Sequence, residues 1–308
     1  MYDVIIIGAG PAGISASLYL IRAKKSILVI SKDNSSLKKA EKIDNYYGLE
    51  SLTGKELFDR GIKQAKELGV NIVKEEVISV DFEDISKFKV ITENKEYMSK
   101  NVIIATGTSR KTPNIKGIKE YEGKGVSYCA ICDAFFYKNK DVAVIGSGNY
   151  AIHEAKTLKD VANSVSILTN GEQVVQNRDE SLQNFDINEK RIKEVRGFNK
   201  VEEIDFDDDT SKKVSGVFIA MGTASADDLA KKIGVVLKNN SIQVDENMQT
   251  NIKGIYACGD CTGGLLQINK AVYEGAKAGL EIIKKEDKNV RKSKQNKTER
   301  SSCGITGG

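Results

Sequence analysis

Short β-branched runs, Gly-rich turns and helical stretches follow one another along this chain. Tyr2–Ile7 is the first such run and predicts a strand. It meets Gly8-Ala9-Gly10-Pro11-Ala12-Gly13, after which Ile14–Ala23 predicts a helix and Ser26–Ile30 a second strand. A dinucleotide needs this order. The first glycine allows the tight turn, the second lets backbone approach a pyrophosphate, and the third lets helix and strand pack closely, with the helix N-terminus facing the phosphates. The G-x-G-x-x-G string alone is weak; its place between strand and helix gives it weight. An acid for the ribose is expected about 20 residues further on. That place is near Ser31, and Asp33 is two positions late.

A second copy begins at Asp141–Ile145, passes through Gly146-Ser147-Gly148-Asn149-Tyr150-Ala151 into a helix ending near Leu158, and closes with a strand at Ser164–Leu168. Between the copies, Asn101–Ala105 reads as a buried strand ending in Thr106-Gly107. Gly254–Ala257 is another, running into Cys258-Gly259-Asp260. A late apolar strand ending in Gly-Asp suggests a return to the first unit, its Asp accepting hydrogen bonds from a cofactor polyol. The expected fold is α/β, with two Rossmann-like, three-layer nucleotide-binding domains, the second inserted into the first. The expected segments are 1–114 and 243–283 for the first domain, 115–242 for the inserted one, and 284–308 for a basic tail.

Composition narrows the classes. The 308 residues are 40% apolar and 29% charged, which excludes a disordered chain and a disulfide-dense miniature. A net charge of +4 is too mild to imply nucleic acid. The longest apolar runs are a few residues, such as Val4–Ile7, against the roughly 20 of a membrane span. The Gly-rich motif at Gly8 leaves no room before it for a signal peptide, so a cytoplasmic protein is expected. The one histidine, His153, excludes two-histidine catalysis and is expected at a solvated helix position. Lys284–Arg300 carries a net +5, leaving about −1 on the rest. It reads either as a frayed, solvated tail or as an arm that docks.

Of five cysteines, four form C-x-x-C pairs, Cys129/Cys132 and Cys258/Cys261; Cys303 is left over. In a large cytosolic chain such pairs point to redox chemistry or metal. One thiol of a C-x-x-C can attack and the other resolve. An adjacent carboxylate, here Asp133, can move the proton. A four-cysteine zinc site is the alternative, but the second pair interrupts a cofactor-contact sequence, so no metal is expected.

Cys129-Ala130-Ile131-Cys132-Asp133-Ala134-Phe135-Phe136-Tyr137, leading into Val142-Ala143-Val144-Ile145-Gly146, resembles the low-molecular-weight thioredoxin reductases. Gly8–Gly13, the Ile43–Gly48 stretch, Ala105-Thr106-Gly107 and Gly259-Asp260 with Gln267-Ile268 fall in that family's order, so the resemblance covers about residues 1–283. It implies FAD in the first domain, a homodimer, and reduction of a thioredoxin disulfide by Cys129 and Cys132 with Asp133 as acid–base residue. It implies FAD contacts at Gly8, Gly10, Pro11, Ala12 and Gly13. Further contacts are implied at Ser31, Lys32, Ser36, Asn45, Val77, Ala105, Thr106 and Gly107, and late in the chain at Gly259, Asp260, Gln267 and Ile268.

The departures concern the electron donor. Where the family has His-Arg-Arg for the NADPH 2′-phosphate, this chain has Thr169-Asn170-Gly171-Glu172-Gln173-Val174-Val175, with Arg178 the nearest cation along the chain. A phosphate dianion favours bidentate arginine. Asn34-Ser35-Ser36 replaces a Gly-Gly-Gln, and Leu266 stands where an arginine normally precedes Gln267. These losses resemble the ferredoxin-dependent flavin thioredoxin reductases, which keep flavin and dithiol without pyridine nucleotide. The resemblance thus implies ferredoxin as donor, with NAD(P)H the alternative.

Overall fold

Val4 and Ile6 point to one side of the first strand, Ile5 and Ile7 to the other, and all four are buried. A strand covered on both faces belongs inside a parallel sheet. In the computed structural model, β1 (Tyr2–Ile7) leads through the Gly turn to α1 (Pro11–Arg22), and β2 (Ile27–Ile30) pairs parallel to β1. The structure describes residues 1–302 except 33–34, 85–86, 108–112, 129, 175–181, 183–184, 222–225 and 240; side chains at Ile131, Cys132, Asp227 and 289–302 are also outside the description. Asp33, Asn34, Cys129, Arg178 and Cys303, with the thiol of Cys132, therefore lie outside the described residues.

Helix α2 (Gly54–Glu67) starts at a capping box between Thr53 and Glu56. It leads to β3 (Asn71–Val73), parallel to β2. An antiparallel meander follows: β4 (Val77–Asp84), β5 (Lys87–Thr92) and β6 (Glu96–Ile104). The early part of β6 pairs with β5, and its later part enters the parallel sheet beside β1.

The chain then builds a second sheet. Its elements are β7 (Val126–Ser127), a short helix α3 (Ala130–Asp133), β8 (Asp141–Ile145), α4 (Asn149–Lys159), β9 (Ser164–Leu168) and β10 (Asp186–Asn188). An antiparallel layer interrupts it: β11 (Ile192–Arg196), β12 (Glu203–Phe206) and β13 (Ser211–Lys213). The sheet closes with β14 (Gly216–Ile219), in the order β10-β9-β8-β14-β7, all parallel among the described residues. Helix α5 (Ala226–Lys232) and the hairpin of β15 (Leu237–Lys238) and β16 (Ser241–Ile242) lead back. There β17 (Ile255–Ala257) pairs parallel to the end of β6, and α6 (Ile268–Ser302) crosses α1.

The fold is thus two Rossmann-like units, the second between two parts of the first. One apolar cluster runs from Ile7 and Val80 to Leu229, Tyr150 and Val142, so the units share a core.

Two expectations need correction. His153 is not solvated: it is half-buried on α4, and burial, with Lys232 nearby, pushes its imidazole down to about 4. The basic segment from Lys284 does not begin with a frayed break, because α6 continues without interruption to Ser302. No helix among the described residues is long and apolar enough to cross a membrane.

Candidate active site

The carboxyl ends of β1, β2, β6 and β17 surround a cavity of about 450 Å3. Parallel α/β sheets bind ligands at this edge, where strand order reverses. Gly8 and Gly10 of the first turn line it, with Pro11 and Ala12 at the start of α1. No side chain among the described residues caps α1, and Pro11 occupies its first turn. The α1 N-terminus is therefore a backbone anion site beside the cavity. Gly8 has φ +110°, and a Cβ there would lie 2.3 Å from Ala105 O. At Gly10 the nearest atom to an added Cβ is Ser35 Oγ, 3.8 Å away, so this glycine leaves the cavity open.

Ser31, Lys32, Ser36 and Val77 line the wall beyond β2, while Ala105, Thr106 and Gly107 follow β6. Gly259 and Asp260 follow β17, and Gln267 and Ile268 open α6. The Gly259 turn is held from α6: its N–H donates to Glu274 Oε2 at 2.9 Å, and Lys270 Nζ donates to its carbonyl at 3.0 Å. Two of the expected residues do not line the cavity. Gly13 packs under the turn, where a Cβ would come 1.9 Å from Gly8 O. Asn45 donates to Gln267 Oε1 at 3.4 Å.

The cavity fits an extended dinucleotide such as FAD. Among the described residues, Glu76 Oε1 and Thr106 Oγ1 are buried oxygens without a hydrogen-bond partner, and both residues face this space. Glu76 is an acid on the cavity wall beside Ser31 and Lys32, where the sequence offered none near Ser31. It comes from the entry to β4, and its other oxygen takes a 2.6 Å ion pair from Lys32 Nζ. Burial raises its carboxyl above the usual range, with Lys32 opposing. The adjacent acidic pair Glu75-Glu76, opening an apolar strand, was its only signal in the sequence. Leu229 of α5 also lines the cavity, so the inserted unit supplies part of the wall. Leu266 stands exposed at its rim.

Asp133 is half-buried at the end of α3 and accepts a 2.6 Å hydrogen bond from Ser127 Oγ. Phe135 and Phe136, which follow it, are exposed. Cys258 and Cys261, which flank the cavity-lining Gly259 and Asp260 in sequence, are buried. Cys261 Sγ donates to the carbonyls of Ile104 and Cys258, and burial raises the Cys258 thiol well above its usual range.

The second glycine loop is furnished differently. Ser147 Oγ donates to Glu172 Oε2 at 2.5 Å. Asn149, the first residue of α4, donates through Nδ2 to Glu93 Oε2 of the first unit at 2.9 Å. Arg178, the cation expected here, lies outside the described residues, and the structure places another cation at this turn. Arg191 packs against the Asn170-Gly171 turn, with Cγ 2.8 Å from where a Gly171 Cβ would sit.

Comparisons with known proteins agree with this architecture. The family model described as pyridine nucleotide-disulphide oxidoreductase matches residues 2–275. A thioredoxin reductase of Aquifex aeolicus is 36% identical over 92% of this chain and 93% of its own. An atypical thioredoxin reductase from Desulfovibrio vulgaris Hildenborough superposes with a TM-score of 0.86 at 37% identity, covering 93% of this chain and 99% of that one. A ferredoxin-flavin thioredoxin reductase from Clostridium acetobutylicum gives 0.68 at 30% identity, covering 93% and 98%. With its FAD-type cavity and its two Rossmann-like units, the chain belongs to the pyridine nucleotide-disulphide oxidoreductase family, as a thioredoxin reductase that uses FAD.

Proposed function

We propose that this reductase takes electrons from a ferredoxin-type donor and delivers them through Cys129 and Cys132 to thioredoxin. One observation carries the donor assignment: two carboxylates, Glu93 and Glu172, bond to Asn149 and Ser147 at the second glycine loop. A pyrophosphate at that helix N-terminus would meet negative charge where it needs donors. At the first loop no side chain among the described residues caps the helix, and the cavity beyond it is lined by Lys32 and Lys39 as well as by Glu75, Glu76 and Asp260. The solved ferredoxin-flavin relative supports the same reading.

FAD supplies the conversion between one-electron delivery and the two-electron reduction of a disulfide. Of the residues expected to contact it, those lining the cavity would hold it. The uncapped α1 N-terminus would receive its phosphates, Glu76 or Thr106 would offer an oxygen to a hydroxyl, and Asp260 would line the site after β17. At the dithiol, one sulfur of Cys129/Cys132 attacks the thioredoxin disulfide and the other resolves the mixed disulfide. Asp133, held by Ser127, moves the proton this exchange needs. The driving force is adequate. Plant-type ferredoxins lie near about −400 mV and thioredoxin near about −270 mV, a gap of ~6 kcal/mol for two electrons.

Arg191 favours a second reading, in which it meets the 2′-phosphate of NADPH beside Gly171. Anaerobic mixing of the oxidised enzyme with NADPH, NADH or reduced ferredoxin, each alone, decides between them. Flavin absorbance should bleach with ferredoxin and persist with either nucleotide. Rapid stoichiometric bleaching by NADPH overturns the assignment.

A further inference from the structure

We propose that Glu154 and Lys232 form a latch that positions α3, the helix that includes Cys132 and directly follows Cys129 in sequence, against the wall of the flavin cavity. The inference rests on the reading of Cys129 and Cys132 as the redox dithiol.

The pair is buried on both sides: Lys232 Nζ lies 2.6 Å from Glu154 Oε1, and each side chain is 3% exposed. A buried ion pair is weak evidence for stability, since desolvation offsets the attraction. Its value here lies in what else the two groups hold. Glu154 Oε2 accepts the backbone N–H of Ala130 at 2.8 Å. One helical turn earlier, Tyr150 Oη donates to Tyr128 O at 3.4 Å. Residues 150 and 154 share a face of α4, and they grip the peptide groups that flank Cys129 in sequence.

Lys232 carries the grip across to the other unit. Its ammonium donates to Ile78 O of β4 at 3.3 Å and sits 4.8 Å from the centre of the Tyr150 ring. Ile78 follows Val77, which lines the cavity, and Leu229, one turn before Lys232 on α5, lines it as well. A continuous chain of contacts thus runs from the cavity wall through Ile78 O, Lys232 and Glu154 to the amide of Ala130. A pair serving packing alone would not need its two remaining bonds to end on different units, one on the redox turn and one beside the cofactor. Glu154 and Lys232 are positioning residues, acting through the Ala130 amide and Ile78 O.

The test is the double variant Glu154→Gln/Lys232→Met in the full-length, FAD-loaded protein. Glutamine keeps an acceptor for Ala130 N–H, and methionine keeps the length without leaving a buried charge unpaired. What is removed is the ion pair itself, with the ammonium's bond to Ile78 O and its contact with the Tyr150 ring. Flavin is reduced chemically, and its reoxidation by the enzyme's own disulfide is followed in a stopped flow. Iodide quenching of flavin fluorescence reports the closure of the wall. We expect full flavin content, reoxidation slowed at least tenfold, and increased quenching. A change below threefold in both readings overturns the latch. Hydrogen exchange on the unaltered protein gives a check independent of folding of the variant: the Ala130 amide should be protected as well as the amides of α4, and free exchange there also overturns the proposal. If the unaltered enzyme shows no flavin reoxidation by its disulfide, the dithiol reading fails instead, a result distinct from an unchanged rate in the variant.

Discussion

Replacing Gly10 by alanine should separate cofactor binding from folding at a position where the two are usually entangled. Gly10 caps α1 with φ −71°, which any L-residue can adopt, and an added Cβ meets nothing closer than Ser35 Oγ at 3.8 Å. The folded chain therefore accepts the methyl. Alanine gains by restricting the unfolded chain, about 0.4–1 kcal/mol, and loses a comparable amount as a poorer N-cap. Net stability without FAD should stay within about 1 kcal/mol of the parent. The methyl projects into the space the phosphates need. Losing one charge-assisted hydrogen bond there costs about 1.5–3 kcal/mol, which weakens FAD binding about 10- to 150-fold. Gly13→Ala is the contrasting case. Its Cβ would lie 1.9 Å from the backbone oxygen of Gly8, which cannot step aside as a side chain would. It should cost at least the ~1–3 kcal/mol of an overpacked core, whatever the FAD concentration. Urea unfolding at stepped FAD concentrations separates the two effects, since only the native state binds the ligand. Parent-like FAD dependence in Gly10→Ala, or a Gly13→Ala protein as stable as the parent, would refute this account of the glycine loop.

The remaining predictions concern the titrating and sulfur-bearing groups. Folded His153 binds its proton near pH 4, whereas the unfolded residue does so near 6.5. The neutral imidazole thus favours the native state above 6.5, and that contribution is lost as pH falls from 6.5 towards 4. Thermal midpoints of the parent should fall relative to His153→Gln across that window, and parallel curves would remove the effect. Cys258→Ala with Cys261→Ala should retain FAD and turnover within about twofold, since buried cysteines often serve as small apolar groups; steady-state assay with thioredoxin checks this, and a flavin-loaded but inactive double variant would make the pair a second redox station. Asp133→Asn should slow dithiol exchange about 10²–10⁴-fold while flavin absorbance is kept, as read by rapid-reaction spectroscopy. Cys129→Ser or Cys132→Ser should retain flavin and lose thioredoxin reduction, and turnover above a few per cent in either would dismiss the dithiol.

The glycine loops, their flanking strands and the return of the chain at β17 were legible because each is a local pattern with a local cause. Gly8 needs its backbone angle wherever the rest of the chain goes, and Ile5 and Ile7 announce a second buried face without naming what covers it. What escaped the sequence is long-range. Glu76 reaches the cavity because β3 lies parallel to β2, which brings the entry of β4 to the sheet's carboxyl edge. His153 is half-buried on α4, where Lys232 at the end of α5 comes close to it. Arg191 lies 20 residues from Gly171 along the chain, and only the pairing of β10 with β9 brings its backbone back to the turn. No periodicity encodes such meetings, since each depends on two segments arriving at one place.

The two glycine loops therefore present the same backbone to opposite chemistry. At the first, the helix N-terminus carries no side-chain cap and opens on the cavity, which suits an anionic ligand. At the second, carboxylates from Glu93 and Glu172 stand against the loop. Glu93 belongs to the first unit, so its bond to Asn149 also ties the units together. Lys232 makes a second tie through Ile78 O. A dinucleotide entering the second loop would have to displace Asn149 from Glu93 and open the seam between the units. On the proposed ferredoxin reading, loss of the nucleotide site and the docking of the inserted unit are one change. A donor that reaches the flavin from outside requires neither bond to break.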